Sequence, residues 1–395
     1  MSNCITFKGF ERENGVGTRN QILLIPTVTC SEITLKKIKK GAISDSRSVD
    51  EQIKIIHNPF GCGQTGKDLE QTERTLINIG KNPNVKSVLI LSLGCESINY
   101  EHVADEISKV KQVSSIKIQD SGGNATISKG INELKKLKKD LSISKRKEVD
   151  ISNLTIGLKC GGSDFTSGLI SNPIVGRISD WIVENRGSSI IGEIPEFIGA
   201  ERLYSKRGVT PEVQKKILKT ILQFESKLKK EAKMDFRNAQ PSPGNIKGGI
   251  TTIEEKSLGA VKKSGNCPVT DVLDYSEIPS KKGHFLMNTP GFDIESVSGI
   301  TAGGANIVLF TTGLGTPTGN PVVPVVKITA NSNTVFKMTD FIDFDASPVM
   351  DLSESFNSCS ERLKKTIIQV ANGKNVKAEE NEQYDFGIYR VGPTY

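Results

Sequence analysis

The sequence has 395 residues but only three histidines, one tryptophan and 6% aromatic residues, and none of its seven cysteines forms a CxxC pair. No apolar run approaches the roughly 18 residues of a membrane span, so no membrane association is expected. Met1, Ser2, Asn3 and Cys4 lead to Lys8 without an apolar core, so no secretory signal is read and the cytoplasm is the default. The cysteines, at 4, 30, 62, 95, 160, 267 and 359, are odd in number and widely spaced, which argues against a disulfide framework and a zinc knuckle. There is no Walker A motif and no G-x-S-x-G elbow, so neither phosphoryl transfer nor a serine triad is expected. Gly15-Val16-Gly17-Thr18-Arg19-Asn20 fails the dinucleotide spacing and precedes the first strand, so NAD is not expected.

What remains is an ordinary globular composition, 36% hydrophobic and 25% charged, with 37 glycines. The net charge of +7 suits an anionic small substrate. The lysines cluster in helical runs, such as Lys135, Lys136, Lys138 and Lys139, and read as solvated helix faces. Without interleaved aromatics they give no nucleic-acid signature.

Apolar strands alternate with helical periodicity. Strands are read at 21–29, 53–57, 85–93 and 116–119, separated by helices at 31–40, 68–80, 100–112 and 124–139. A charged linker is expected at 141–150. A second series follows: strands at 154–158, 189–192, 306–310 and 322–328, helices at 173–185, 211–233 and 361–372, and a loop-rich stretch bracketed by 244–249 and 259–265. The expected fold is α/β, two Rossmann-like units with mainly parallel sheets and loop-rich insertions, one over 1–145 and the other over 146–395 with a C-terminal helix.

Strand after strand ends in a glycine loop carrying Cys, Ser, Thr, Asp or Glu. In a parallel sheet such loops share the carboxyl edge, where ligands bind. Cys30, Cys62, Cys95 and Cys160 all follow strands and are placed to converge on iron, although the spacing gives no support to an iron–sulfur cluster. A single Fe²⁺ or Mn²⁺ fits His57, Glu96, Glu193 and Glu196 better. His57 ends a strand and is placed for proton transfer or metal binding. Arg19 beside glycines offers a fork for a carboxylate. Lys159 is placed to offset substrate charge. Ser163, Asp164, Thr311, Thr312 and the glycine backbone at Gly161 offer hydroxyls and amides to an oxyanion or polyol.

The stretches NGVGTRN (14–20), HNPFGCGQ (57–64), LGCES (93–97), KCGGSDFTSGLISNPIVG (159–176), EIPEFIGAE (193–201), PSPGNIKGGITTIEEKSLGAVKKSG (241–265) and AGGANIVLFTTGLGTPTG (302–319) resemble, in order, the large domain of the galactarate/altronate dehydratase family, which includes the large subunit of sulfolactate sulfo-lyase. The resemblance implies an NAD-independent lyase using Fe²⁺ or Mn²⁺. It would release water from a sugar acid to give a 2-keto-3-deoxy acid, or sulfite and pyruvate from (2R)-sulfolactate. A non-catalytic binding subunit is a further reading. Single-chain members carry a small SAF-type domain ahead of this region. The sequence is read as lacking it, which implies a large subunit with a small SAF-type partner in a hetero-oligomer. On this reading His57 and Lys159 are catalytic; Arg19, Asn20, Gly161, Ser163, Asp164, Thr311 and Thr312 bind substrate; and Cys62, Cys95, Glu96, Cys160 and Glu193 hold metal.

Overall fold

A computed structural model describes residues 5–43 and 50–395. The predicted cysteine at position 4 lies outside them. Three sheets organise the chain. Strands β1 (Thr6–Arg12), β2 (Gly15–Gly17) and β7 (Lys147–Asp150) form an antiparallel ribbon in the order β2-β1-β7. Strands β3 (Gln21–Pro26), β4 (Ile53–Ile55), β5 (Val85–Ser92) and β6 (Gln112–Lys117) form a parallel sheet in the order β4-β3-β5-β6. Strands β8 (Thr155–Cys160), β9 (Ser188–Ile191), β10 (Val269–Leu273), β11 (Gly283–Met287), β12 (Ile307–Thr311), β13 (Val325–Thr329) and β14 (Phe344–Asp345) form a second parallel sheet in the order β10-β11-β9-β8-β12-β13-β14.

Parallel strands are covered on both faces, and every residue of β3, QILLIP, is buried. Its alternate side chains serve different layers. Ile22 and Leu24 pack with Leu35, Ile38, Leu134 and Leu137 from the helices Glu32–Ala42 and Gly123–Ser142. Leu23 and Ile25 face a layer that also holds Ile300, Val308 and Phe310, so the two parallel sheets share one core. Each of these apolar side chains contributes about 1.5–3 kcal/mol through burial.

Asparagines join the sheets in register. Asn82, after the helix Gly66–Lys81, donates to the carbonyls of Thr301 and Ala305 at the end of the helix Asp293–Ala302, at 2.8 Å each. Asn84 donates to the carbonyls of Asn306 and Val322, and the Thr18 hydroxyl to the carbonyl of Asn306. Residues 84 and 306 immediately precede β5 and β12, and residue 18 lies three positions before β3. The segments leading into both sheets therefore meet at one node.

Several sequence expectations need correction. The expected linker 141–150 contains β7, which pairs with β1. The strand expected at 116–119 is β6, displaced toward its amino end and followed by a helical turn, Ile118–Ser121. The stretch read as loops at 244–265 holds the helices Pro243–Lys247 and Ile253–Val261, both opened by side-chain caps, from Ser242 and Thr252. The Ser31 hydroxyl donates to the carbonyls of Val28 and Leu91 and makes no cap to the helix that follows. No described helix is long and apolar enough to cross a membrane.

Candidate active site

In the larger sheet the strand order reverses between β8 and β12, the place where a parallel sheet leaves a crevice at its carboxyl edge. The last residues of β8, Lys159 and Cys160, lie there. Glu193, just past β9, has a left-handed backbone (φ 66°), a strained conformation for a side chain of its size. That conformation aims its carboxylate inward. Glu193 accepts from Lys159 at 2.5 Å, from Lys263 at 3.0 Å and from the Cys160 amide at 2.9 Å. Lys159 also pairs with Asp293 at 2.7 Å, and Lys263 Nζ lies 2.6 Å from Cys160 Sγ. Gly161 makes room for this: a Cβ there would meet both Asp293 carboxylate oxygens at 2.8 Å.

Lys159 is 0% exposed and Glu193 1%. Burial alone would raise the Glu193 pKa, but Lys159 and Lys263 outweigh it and hold the carboxylate well below its usual range. Burial would likewise lower both lysines. Glu193 and Asp293 outweigh it at Lys159, and Cys160 and Glu193 do so at Lys263, so both ammonium groups stay charged. Burial and Glu193 push the Cys160 thiol up to about 11. The result is a sealed, charge-balanced cluster. Lys159 is held as an ammonium, paired with Glu193 and Asp293.

The smaller sheet reverses between β3 and β5. His57, just past β4, has 56% of its side chain exposed, and its Nδ1 lies 2.7 Å from Glu32 Oε2. Glu32, in the first turn of its helix, also pairs with Lys36 at 2.7 Å. Burial pushes the Glu32 pKa up, but the bonds to Lys36 and His57 prevail and keep it ionised. An ionised acceptor at Nδ1 holds the imidazole in the tautomer whose Nε2 is an open base. Glu96 bridges the crevice: it accepts from the Thr27 hydroxyl at 2.5 Å, the Leu93 amide at 3.3 Å and the Gly94 amide at 2.6 Å. Cys30, Cys62 and Cys95 are exposed along the same edge.

The other expected site residues separate sharply. Arg19 lies at the opposite, amino end of β3. Its guanidinium is fully engaged by the Glu379 carboxylate, at 2.6 and 2.7 Å, and by the carbonyls of Thr18, Val370 and Lys374. Asn20, beside it, accepts from Arg12 at 2.5 Å and donates to the carbonyl of Leu141. Both are structural, and the expectation that they grip substrate is withdrawn. Asp164 accepts from Thr166, Ser167 and Asn331; Thr311 donates to Asn172; and Thr312 accepts from the Gly315 amide. These three shape the loops around Gly161 and Ser163. Of the remaining histidines, His284 is buried between Ser189 and Tyr204, and His102 lies exposed on a helix. Glu32, Lys263 and Asp293 were missed. An acidic residue opening the helix after β3 was the available signal for Glu32; nothing local marks the other two.

Metal binding was tested against this donor set. Among the described residues no three His, Cys, Asp or Glu side chains gather in a way that could hold an ion. The expected ligands divide between two edges: Cys62, Cys95 and Glu96 on the smaller sheet, Cys160 and Glu193 on the larger. Glu193 is already saturated by lysines, and Glu96 by the Thr27 hydroxyl and two amides. The five do not fit a common cation, and no step below runs through one.

The sequence profile described as D-galactarate/Altronate dehydratase, C-terminal, matches residues 151–394, and that described as D-galactarate dehydratase/Altronate hydrolase, second domain, matches residues 9–142. The chain belongs to the galactarate/altronate dehydratase family. It is 36% identical to an altronate dehydratase of Bacillus subtilis over 98% of this chain and 78% of that protein. It is 32% identical to the (2R)-sulfolactate sulfo-lyase subunit beta of Chromohalobacter salexigens over 98% of this chain and 97% of that one. A galactarate dehydratase (L-threo-forming) of Escherichia coli is 31% identical over 93% of this chain and 73% of its own length. The altronate and galactarate dehydratases among these relatives are hydro-lyases, and the resemblance read from the ordered motifs holds along the chain.

Proposed function

We propose that this chain is the large component of a lyase that removes water from a sugar acid of the altronate or galactarate type, giving a 2-keto-3-deoxy acid. Family membership supports the reaction class, and the observation that carries the chemistry is the His57–Glu32 pair at an open carboxyl edge. Dehydration of a 2,3-dihydroxy acid breaks the C2–H and C3–O bonds and forms an enol, which becomes the ketone. The proton must be taken by a base within hydrogen-bond reach, with a second group orienting that base. His57 Nε2 takes the C2 proton, Glu32 holds Nδ1–H, and the proton passes to the departing hydroxyl, so water leaves and the enzyme is unchanged. Glu32 is a positioning residue in this scheme, and Lys36 keeps it ionised.

A second reading, sulfite release from (2R)-sulfolactate, rests on the 32% identity to the sulfo-lyase subunit beta over 98% of this chain. That relative's description as a subunit supports assembly with a second component, of the small SAF type. The test is anaerobic reconstitution with such a subunit and Fe²⁺, followed by assays of altronate, galactarate and sulfolactate. Keto acid from a sugar acid without sulfite supports the first reading. Equal amounts of pyruvate and sulfite from sulfolactate replace it with the second. No product from any of the three, or full activity in His57→Gln, defeats the scheme.

A further inference from the structure

Segment 389–395 runs back along the first turns of the helix Gly66–Lys81 and reaches the loop that follows His57. The Gln71 side-chain amide donates to the Tyr389 carbonyl, the Val391 amide to Asp68 Oδ1 at 2.9 Å, and the Tyr395 amide to the Gly63 carbonyl at 3.0 Å. Gly63 has a left-handed backbone (φ 68°), and a Cβ there would meet a main-chain oxygen of Tyr395 at 2.6 Å, so segment and loop pack backbone to backbone. Asp68 joins the two. It is 2% exposed, a depth at which a carboxylate has to be met by donors. While Oδ1 takes the Val391 amide, Oδ2 accepts from the Gln64 side chain at 2.9 Å, and Gln64 in turn accepts from the Gly61 amide at 3.2 Å. The other side of the loop is tied to the neighbouring edge: the Ser97 amide donates to the Gly61 carbonyl at 2.8 Å, and the Gly63 amide to the Ser97 hydroxyl at 3.1 Å. An acidic residue in the first turn of a helix commonly serves that helix's own amino end. Asp68 stands in that position, yet both of its oxygens are spent on groups outside the helix.

We infer that Asp68 is a positioning residue for the His57 site: it locks segment 389–395 onto the glycine loop 61–64 and so fixes the wall of the crevice beside His57. The consequence for turnover rests on the lyase reading, whereas the tie itself is measured without turnover. The loop has two anchors, Ser97 on one side and Asp68 with its segment on the other. Freeing the second lets Gly61–Gln64 swing while the fold around them stays closed, and a displacement of about 1 Å beside a reacting group is enough to slow a reaction about 10²-fold.

Hydrogen–deuterium exchange of the full chain, read by peptide mass, tests the tie. Val391→Pro removes one amide donor and leaves every side chain of the loop in place; Asp68→Ala removes the acceptor. Each should speed exchange of the peptide over 57–66 at least about fivefold, while peptides over β8 and β12 exchange as in the parent. Thermal unfolding confirms that the variants fold, and Asp68→Asn replaces Asp68→Ala if that one does not. In the enzyme assembled for the lyase assays, both variants should lower kcat at least about tenfold with KM changed less than about twofold, a split that loss of stability alone would not produce. The inference is overturned by parental exchange over 57–66 in the folded variants, by acceleration spread evenly over the whole chain, or by parental kcat in an active enzyme. A parent that turns nothing over defeats the lyase reading instead, and the exchange rates then decide the tie by themselves.

Discussion

The two carboxyl edges carry similar side chains and put them to opposite uses. On the larger sheet, Lys159, Glu193, Lys263 and Cys160 are buried and satisfy one another. On the smaller sheet, His57 and three thiols stand in solvent, backed by a buried carboxylate. Burial accounts for the difference. A charge removed from water must be paired on the spot, and once paired it has no valence left for a substrate. A proton-transfer group needs one satisfied face and one open face, as His57 has. Charge density alone marks the larger sheet's edge; an unpaired, accessible atom marks the smaller one's.

The sharpest way to break this contrast is Glu193→Ala, which removes the carboxylate shared by two buried ammonium groups. Removing one partner of a buried pair costs about 3–5 kcal/mol, so urea unfolding should show a loss of that size or a chain that no longer folds. A loss below about 1 kcal/mol would mean the cluster is open to water. The acid dependence gives the same contrast a sign. With the folded-state pKa of Glu193 held down to about 2 by Lys159 and Lys263 against burial, its contribution is complete above the unfolded value of about 4.3 and disappears as pH falls through about 2. The stability gap between parent and Glu193→Gln should thus be flat from pH 7 to 5 and close below pH 4. A gap that instead closes between pH 7 and 5 would contradict the assignment.

His57→Gln should do the converse, lowering turnover of the assembled enzyme by about 10²–10⁴-fold with little change in unfolding, since the ring is exposed. Glu32→Gln should reduce turnover less. Turnover in Glu32→Gln equal to the parent's would leave Glu32 a purely structural residue.

Much of this architecture was legible because parallel strands are continuous apolar runs ended by glycine loops. QILLIP and VKSVLILS can be little else, and the side on which such loops gather follows from the fold class. What escaped depends on tertiary partners. β1 and β7 are short, polar and 142 residues apart where Thr6 bonds to Glu148, so neither shows a pattern of its own. Arg19 has the same local surroundings whether it faces a ligand or Glu379; the residue that decides lies 360 positions away. Lys263 was hidden for the same reason, since its partners Cys160 and Glu193 come from other loops.

Metal loading separates the edges more finely. After anaerobic incubation with Fe²⁺ and desalting, the chain alone should retain well below one equivalent, because the described donors do not converge. Stoichiometric retention by the chain alone, lost in Glu96→Gln, would show that the smaller sheet's edge rearranges into a cation site.

The smallest perturbation is chemical labelling, which changes no residue. Cys30, Cys62 and Cys95 are exposed, whereas Cys160 is buried with its thiol held up at about 11. Thiolate is the reactive form, so iodoacetamide at pH 8 should mark the three exposed sites in the folded chain, mapped by peptide mass, and leave Cys160 untouched. Raising the pH toward 10 should speed the three without bringing Cys160 into reach, because its barrier is access as well as ionisation. In Lys263→Met the thiol loses its ammonium neighbour but gains no opening, so it should stay silent unless the cluster has come apart. Labelling of Cys160 in that variant, at a urea concentration where the parent remains protected, would therefore report loss of the seal itself and not a change in thiol chemistry.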